Sequence, residues 1–326
     1  MPATPPGAHG HRRPDARELD ALKRVLVTGA SGFVGRHTLE PLLRRGFEVH
    51  AISARAVRRE TSLGVIWHRA DLLDCRAVRA LIGDVSPEYL LHLAWYMQPG
   101  RAWTAAVNFD WVHASMNLLH EFGENGGQRA VLAGSCAEYT WQARTHCVEA
   151  TTPTAPATFY GMAKHRLHAM ASACAKQAGV SLAWARIFFL YGPHEHPERL
   201  AAAVARALLR REEVACSDGR QVRDYLYVPE LGSALAALLS SDVAGPVNMA
   251  SGMPVRVADV IAALARASGS PELVRLGARA SRPGEPDVLT ADIGRLRDEV
   301  GWRSSVTLEE GAARTVAWWR SATLDA

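Results

Sequence analysis

Tyr160 and Lys164 stand four residues apart in the segment Tyr160-Gly161-Met162-Ala163-Lys164. On a helix that spacing puts both side chains on one face. An ammonium beside a phenol favours the phenolate, so Tyr160 could give or take a proton near neutral pH. The choice of lysine is informative. The chain holds 37 Lys plus Arg, yet its only lysines are Lys23, Lys164 and Lys176. A compact ammonium with three donors can touch a sugar hydroxyl and a phenol together, which a planar guanidinium cannot easily do. Taken alone, such a pair is more often the solvated face of an amphipathic helix. The elements around it change that balance.

A helix over 160–178, ended by Gly179, would carry the pair. Short apolar runs at 24–29, 48–53, 65–70, 89–94, 129–135 and 181–188 read as strands. Helical patterns separate them, at 34–46 with Pro41 as a kink, at 75–82 and at about 104–122. This alternation predicts an α/β fold, a Rossmann-type doubly wound parallel sheet. After Pro193 the rhythm breaks. A smaller, mostly helical C-terminal lobe is expected over 192–326, with part of 221–250 returning to the main sheet. The dinucleotide-binding domain is expected over 22–191, and residues 1–21, rich in Pro, Gly and charge, as a flexible tail.

Between the first strand and first helix, Gly29, Gly32 and Gly35 stand three apart. Backbone amides there can face a pyrophosphate, with the helix N-terminus adding positive potential. A tight turn would also favour glycine, but the position suits a dinucleotide. At the end of the second strand an acid would bind a free adenosine ribose. Here Ser53 stands there, with Arg55, Arg58 and Arg59 beyond, and these suit a 2′-phosphate. NADP is therefore expected over NAD, with a solvated basic loop as the alternative. Asp71, closing the third strand, could contact adenine or cap the next helix. Cofactor contacts are expected from Gly29, Ser31, Gly32, Phe33, Val34, Gly35, Ser53, Arg55, Asp71, Leu72, Leu93, Ala94, Tyr160 and Lys164.

Bulk composition bounds the rest. With 326 residues, 48% hydrophobic and 21% charged, the chain is an ordinary globular sequence with room for one large core or two domains. Its net charge of +4 is too modest to argue for nucleic acid. No stretch approaches a membrane span. Five scattered cysteines, Cys75, Cys136, Cys147, Cys174 and Cys216, read as free thiols in a reducing compartment, so a cytoplasmic location is expected. His194-Glu195-His196 lacks a third spaced ligand, and no metal is expected. His92 on a buried strand reads as a satisfied core histidine. Trp95, Tyr96 and Trp141 read either as pocket lining or as core.

The segments TGASGFVG, HLAW, GSCAEY and YGMAK, in this order and spacing, resemble the extended short-chain dehydrogenase/reductases, and more narrowly the sugar-nucleotide epimerase/dehydratase branch. The resemblance runs from about residue 23 to about 320. It implies a Ser/Thr–Tyr–Lys triad. Ser135, four residues before Tyr139, fits the hydroxyl that bonds the reacting sugar oxygen; its alternative reading is a strand-end cap. Tyr160 fits the acid/base and Lys164 its ribose-binding partner. Asn108 matches a helix Asn that is usually structural. The later segments resemble a nucleotide-diphosphate pocket, implying Arg199, Arg223 and Arg282 as phosphate ligands, with Trp95 and Cys136 near the sugar. For Arg223 a purely structural pair with Asp224 is the alternative. The expected partners are a nucleotide-diphosphate sugar and a second copy of the chain.

The sequence also departs from the pattern. Dehydratases of this branch carry an acid pair after the catalytic Ser/Thr, whereas here Cys136 and Ala137 follow Ser135. Glu138 comes one residue later and would point the other way on an extended segment. A 4,6-dehydratase is disfavoured, and Ser53 weakens a redox-neutral epimerase. The expectation is an NADP-dependent reductase of an NDP-4-keto-6-deoxyhexose-type substrate, with Tyr160 supplying the proton. The alternatives are an epimerase and a non-catalytic NADPH-sensing module.

Overall fold

The computed structural model describes residues 23–54, 64–142, 144–281 and 284–324. The expected tail, Arg55, Arg58, Arg59 and Arg282 lie outside the described residues. The strands are β1 (Lys23–Thr28), β2 (Phe47–Ser53), β3 (Val65–Arg69), β4 (Tyr89–His92), β5 (Arg129–Ser135), β6 (Arg144–Cys147), β7 (Ser181–Ile187), β8 (Phe189–Tyr191), β9 (Val214–Ala215), β10 (Val222–Tyr227), β11 (Gly245–Met249), β12 (Pro254–Arg256), β13 (Val274–Arg275) and β14 (Val288–Ala291). The helices are α1 (Leu39–Arg44), α2 (Cys75–Val85), α3 (Asn108–Glu124), α4 (Phe159–Ala178), α5 (Leu200–Leu209), α6 (Val228–Ser240), α7 (Val257–Ser268) and α8 (Leu308–Leu324).

Among the described residues, seven strands form one parallel sheet in the order β11-β7-β5-β4-β1-β2-β3. A parallel sheet needs cover on both faces, which is why its strands are apolar throughout rather than alternating. Alternation of side chains along β1 divides the core in two. Val25 and Val27 pack with Val49 of β2 and with Leu231 and Leu235 of α6. Leu26, on the other face, packs with Ile82 of α2, Leu118 of α3 and Leu167 of α4. The strand order reverses between β1 and β4, so a crevice opens at their C-terminal ends, where such sheets bind ligands.

The first helix differs from the expected kinked one. A 3-10 turn at Gly35–His37 precedes α1, and the break falls at Thr38. Its hydroxyl donates to the Gly35 carbonyl at 2.7 Å. Pro41 sits in the first turn of α1, where its missing N–H has no intrahelical acceptor to serve. The helix therefore restarts before the proline instead of bending at it.

A second sheet, ordered β12-β10-β14-β6 with β8 against β10, lies beside the first. Helices α5, α7 and α8 bury their apolar faces together there, through Ala205, Leu264 and Val316 among others. Strands β6 and β14 pair in parallel although 144 and 288 are far apart in the chain. At four residues each they carry too short a pattern to be seen in the sequence. β11 pairs with β7, so residues 245–249 belong to the large sheet. No helix among the described residues is long and apolar enough to cross a membrane.

Candidate active site

The turn after β1 is built by close approach. Gly29 has φ +67°, and a Cβ on it would lie 2.8 Å from the Ala94 nitrogen. A Cβ on Gly35 would collide with the Gly29 carbonyl oxygen. The turn is thus a cradle that side chains would fill, which suits a pyrophosphate. Thr28, which the sequence reading passed over, joins its two walls. Its hydroxyl oxygen accepts from the amides of Leu93 and Ala94 at 3.1 and 3.2 Å. It also meets His92 Nδ1 at 2.7 Å, while His92 Nε2 meets the Ser115 hydroxyl at 2.7 Å. His92 is a satisfied core residue, and burial pushes its pKa down to about 3.

The other expected cofactor positions spread around this cradle. Ser31 and Gly32 are exposed; Phe33 and Val34 are half-buried. Ser53 is buried at the end of β2, and its hydroxyl lies 3.3 Å from that of Ser31. Asp71 is exposed and accepts from the Leu73 amide at 3.0 Å. The cap of α2 is Asp74 instead, whose carboxylate accepts from the amides of Arg76 and Ala77. Leu72 is buried in the core; Leu93 and Ala94 are partly buried beneath the crevice.

The expected triad comes together at the start of α4. Thr158 caps this helix, accepting from the Gly161 amide at 3.0 Å. Gly161 packs directly on the Ala137 carbonyl, and a Cβ there would collide with it. That contact brings Tyr160 beside the end of β5, where the Ser135 hydroxyl is near enough to the Tyr160 phenol to favour its ionised form. The Ser135 oxygen also accepts from the Ala137 amide at 3.1 Å, so the strand-end cap is real as well. Tyr160 is 7% exposed, and burial raises its pKa. The nearby Ser135 hydroxyl and the charge of Arg199 act in the opposite direction. The expected phenolate-favouring effect of Lys164 is not what governs Tyr160 here. Lys164 Nζ instead donates to the Ala133 carbonyl at 2.8 Å and stands 3.5 Å from the centroid of the Trp95 ring. Burial lowers its pKa to about 7.

Aromatic side chains surround Tyr160. Trp103 meets it edge-on at 5.5 Å between centroids, and Trp95 at 6.4 Å. The Trp103 carbonyl accepts from the Tyr160 amide at 3.1 Å. Trp141 lies against Trp103 and donates to the Cys136 carbonyl at 3.1 Å. Tyr96 is half-buried.

Residues 136–138 form a 3-10 turn, not the extended segment assumed for Glu138. Glu138 is fully buried and committed to the scaffold. It accepts from the Ser135 amide at 2.7 Å, from Trp184 Nε1 at 2.9 Å and from Arg186 Nε at 3.3 Å. Cys136 is buried next to Ser135, and burial raises its thiol pKa.

Two arginines reach this place from the second sheet and its helices. Arg199 precedes α5, and its charge acts on both Tyr160 and Glu195. Arg223 on β10 is 4% exposed and acts on Cys136. It stacks over Phe189 at 5.4 Å and pairs with Glu285 at 3.6 Å. Asp224 accepts instead from the Ser251 and Gly252 amides, so adjacent Arg223 and Asp224 serve opposite sides of the strand. The residues 194–196 diverge. His194 binds Arg36 at 2.6 Å, and His196 Nδ1 accepts from the Glu198 amide at 3.3 Å. Glu195 turns inward and is 4% exposed, with its pKa raised to about 8 by burial. Sequence reading gave it no role, since only folding buries it.

The model of the NAD dependent epimerase/dehydratase family matches residues 25–250. UDP-glucose 4-epimerase of Bacillus subtilis is 26% identical over 90% of this chain and 96% of its own length. UDP-glucuronic acid decarboxylase 1 of Arabidopsis thaliana is 26% identical over 93% of this chain and 71% of its own. Among solved structures, the UDP-glucose 4-epimerase of Thermus thermophilus in complex with NAD superposes with a TM-score of 0.82 at 28% identity, covering 92% of this chain and 99% of that one. An NAD dependent NDP-hexosamine 5,6-dehydratase of tunicamycin biosynthesis gives a TM-score of 0.81 at 28% identity, over 93% of this chain and 100% of its own. With a doubly wound sheet, a glycine cradle and a matching family model over most of its length, the chain belongs to the NAD dependent epimerase/dehydratase family, within the extended short-chain dehydrogenase/reductases.

Proposed function

We propose that the protein reduces a keto group on a sugar carried by a nucleoside diphosphate, with NADPH as the preferred cofactor. One observation carries this reading. The protein offers Ser135 beside the Tyr160 phenol, but the one carboxyl of the adjoining turn, Glu138, is held inside the scaffold by Trp184 and Arg186. Loss of water across two sugar carbons would need a further acid or base at that turn, where Cys136 and Ala137 stand. Addition of hydride and proton to one carbonyl needs only the pair.

A nicotinamide held over the glycine cradle supplies hydride when bound. Ser135 is suited to polarise the carbonyl oxygen, and Tyr160 to protonate it. Burial favours the protonated phenol in the resting protein, the state a donor requires. Lys164 keeps an N–H for a ribose hydroxyl. Arg199 and Arg223, joined by Arg282, are the groups for the diphosphate, since guanidinium binds phosphate oxygens in pairs. Ser53 beside Ser31, with no acid at the end of β2, supports room for a 2′-phosphate. We further propose a homodimer through α3 and α4, on which Phe109, Met162 and Met170 are exposed apolar side chains, and a cytoplasmic location, in keeping with free cysteines.

Epimerisation is the second reading, favoured by relatives named UDP-glucose 4-epimerase. The test is spectrophotometric, with NDP-4-keto-6-deoxyhexoses and either NADPH or NADH. Stoichiometric NADPH oxidation, reduced ~10²–10⁴-fold in Tyr160→Phe, is expected. Product formed without net cofactor consumption would replace the reductase by an epimerase. Tight NADPH binding with no turnover would leave the sensing module.

A further inference from the structure

Lys164 is 3% exposed, and burial works against its charge. Several groups face it. The Ala133 carbonyl accepts one N–H at 2.8 Å, and the carboxylate of Glu138 favours the ammonium through space. His92 on β4 is near enough to feel its charge, and Tyr160 shares its helical face. An indole also faces it: Nζ lies 3.5 Å from the Trp95 ring centroid. An ammonium has three donors. With one on the carbonyl and one directed at the ring, a single N–H is left for a bound molecule.

The indole is itself held in place. Trp95 Nε1 donates to Asn108 Oδ1 at 2.8 Å. Asn108 is fully buried, and its amide nitrogen donates to the Ala102 and Ala105 carbonyls at 2.9 and 2.8 Å. With both nitrogen donors fixed, the amide oxygen must face the indole. The ring face is a region of negative potential that attracts a cation, more strongly away from water, and has no comparable attraction for a neutral amine.

We infer that Trp95 is a positioning residue for Lys164: anchored by Asn108, its ring holds the ammonium charged and in place below Tyr160. This assigns Trp95 a role other than lining a sugar pocket or filling the core. It rests on Lys164 serving the site proposed above, but its test needs neither cofactor nor substrate. Failure of turnover would therefore overturn the proposed reaction without touching this inference.

The three lysines of the chain make the test direct. Lysine-selective ¹³C labelling gives Cε signals whose shifts follow ionisation, and Lys164→Met identifies the Lys164 signal. In Trp95→Leu, which keeps the site apolar, the Lys164 midpoint should fall by about one pH unit. In Trp95→Phe, with a weaker ring face, it should fall by less. The Lys23 and Lys176 midpoints should not move. A Lys164 midpoint that is unchanged or raised in Trp95→Leu would overturn the inference. If Trp95→Leu does not fold, an unchanged midpoint in Trp95→Phe does so.

Discussion

A buried phenol and a buried carboxyl sit within reach of one arginine, Arg199, and both are pushed toward their neutral forms by burial. For Tyr160 that neutrality suits proton donation. For Glu195 it has a consequence for stability. The Ala202 amide at the start of α5 lies near enough to favour the carboxylate, while Oε2 has no hydrogen-bond partner among the described residues. The folded protein holds the Glu195 proton up to about pH 8, against an ordinary value of 4.5. The native state therefore binds more protons than the unfolded chain between those values, and stability falls as pH rises through that window. The contribution is fully present below pH 4.5 and lost above about pH 8. Glu195→Gln keeps the shape and a carbonyl oxygen without the charge. Chemical denaturation at pH 9 should show the variant more stable than wild type by ~2–5 kcal/mol, the cost of ionising a carboxyl that burial holds neutral up to about pH 8. The two should converge at pH 5; parallel curves at both pH values would refute the assignment.

Helix α4 is the element on which the site depends. Its buried face runs through Tyr160, Ala163, Lys164, Leu167, Ala171 and Ala175, so core packing fixes its rotation about its axis. Its translation is fixed at Gly161, where the helix backbone rests on the turn that follows β5. Gly161→Ala should push the helix start away from Ala137, at a cost of ~1–3 kcal/mol for overpacking. Because Tyr160 is the adjacent residue, its phenol should move away from Ser135. Turnover should fall at least tenfold in protein that remains folded, the cost of about 1.4 kcal/mol in the barrier. A variant that is destabilised yet fully active would show that the contact serves stability alone.

At the scale of the whole molecule, the crevice brings together two sheets. The large one contributes the cradle, Ser135 and α4; the other contributes Arg223 from β10, and the segment before α5 contributes Arg199. The proposed division of labour is cofactor on the first and nucleotide diphosphate on the second. Arg223→Ala should weaken nucleoside diphosphate binding by ~1.5–3 kcal/mol, the range for hydrogen bonds to a charged group. NADP affinity should barely change. Calorimetry showing the reverse pattern would assign Arg223 to the cofactor or to the fold.

Local pattern was enough for part of this. The glycines at 29, 32 and 35 and the apolar runs around them announced a strand, a tight turn and a doubly wound sheet, because these depend on neighbours in sequence. Tyr160 and Lys164 were legible as a pair because a helix fixes the geometry of residues four apart. Other features depended on partners distant in the chain. Glu138 looked like a stray acid until Trp184 and Arg186, both on β7, were seen to hold it in the core. Asp71 was a candidate cap, but Asp74 sits where the helix begins. Lys164 was expected to act on Tyr160, yet the fold sets it against Trp95, 69 positions earlier in the chain. Burial decided the rest: the sequence supplies the ionisable groups, but only packing decides which of them keep their charge.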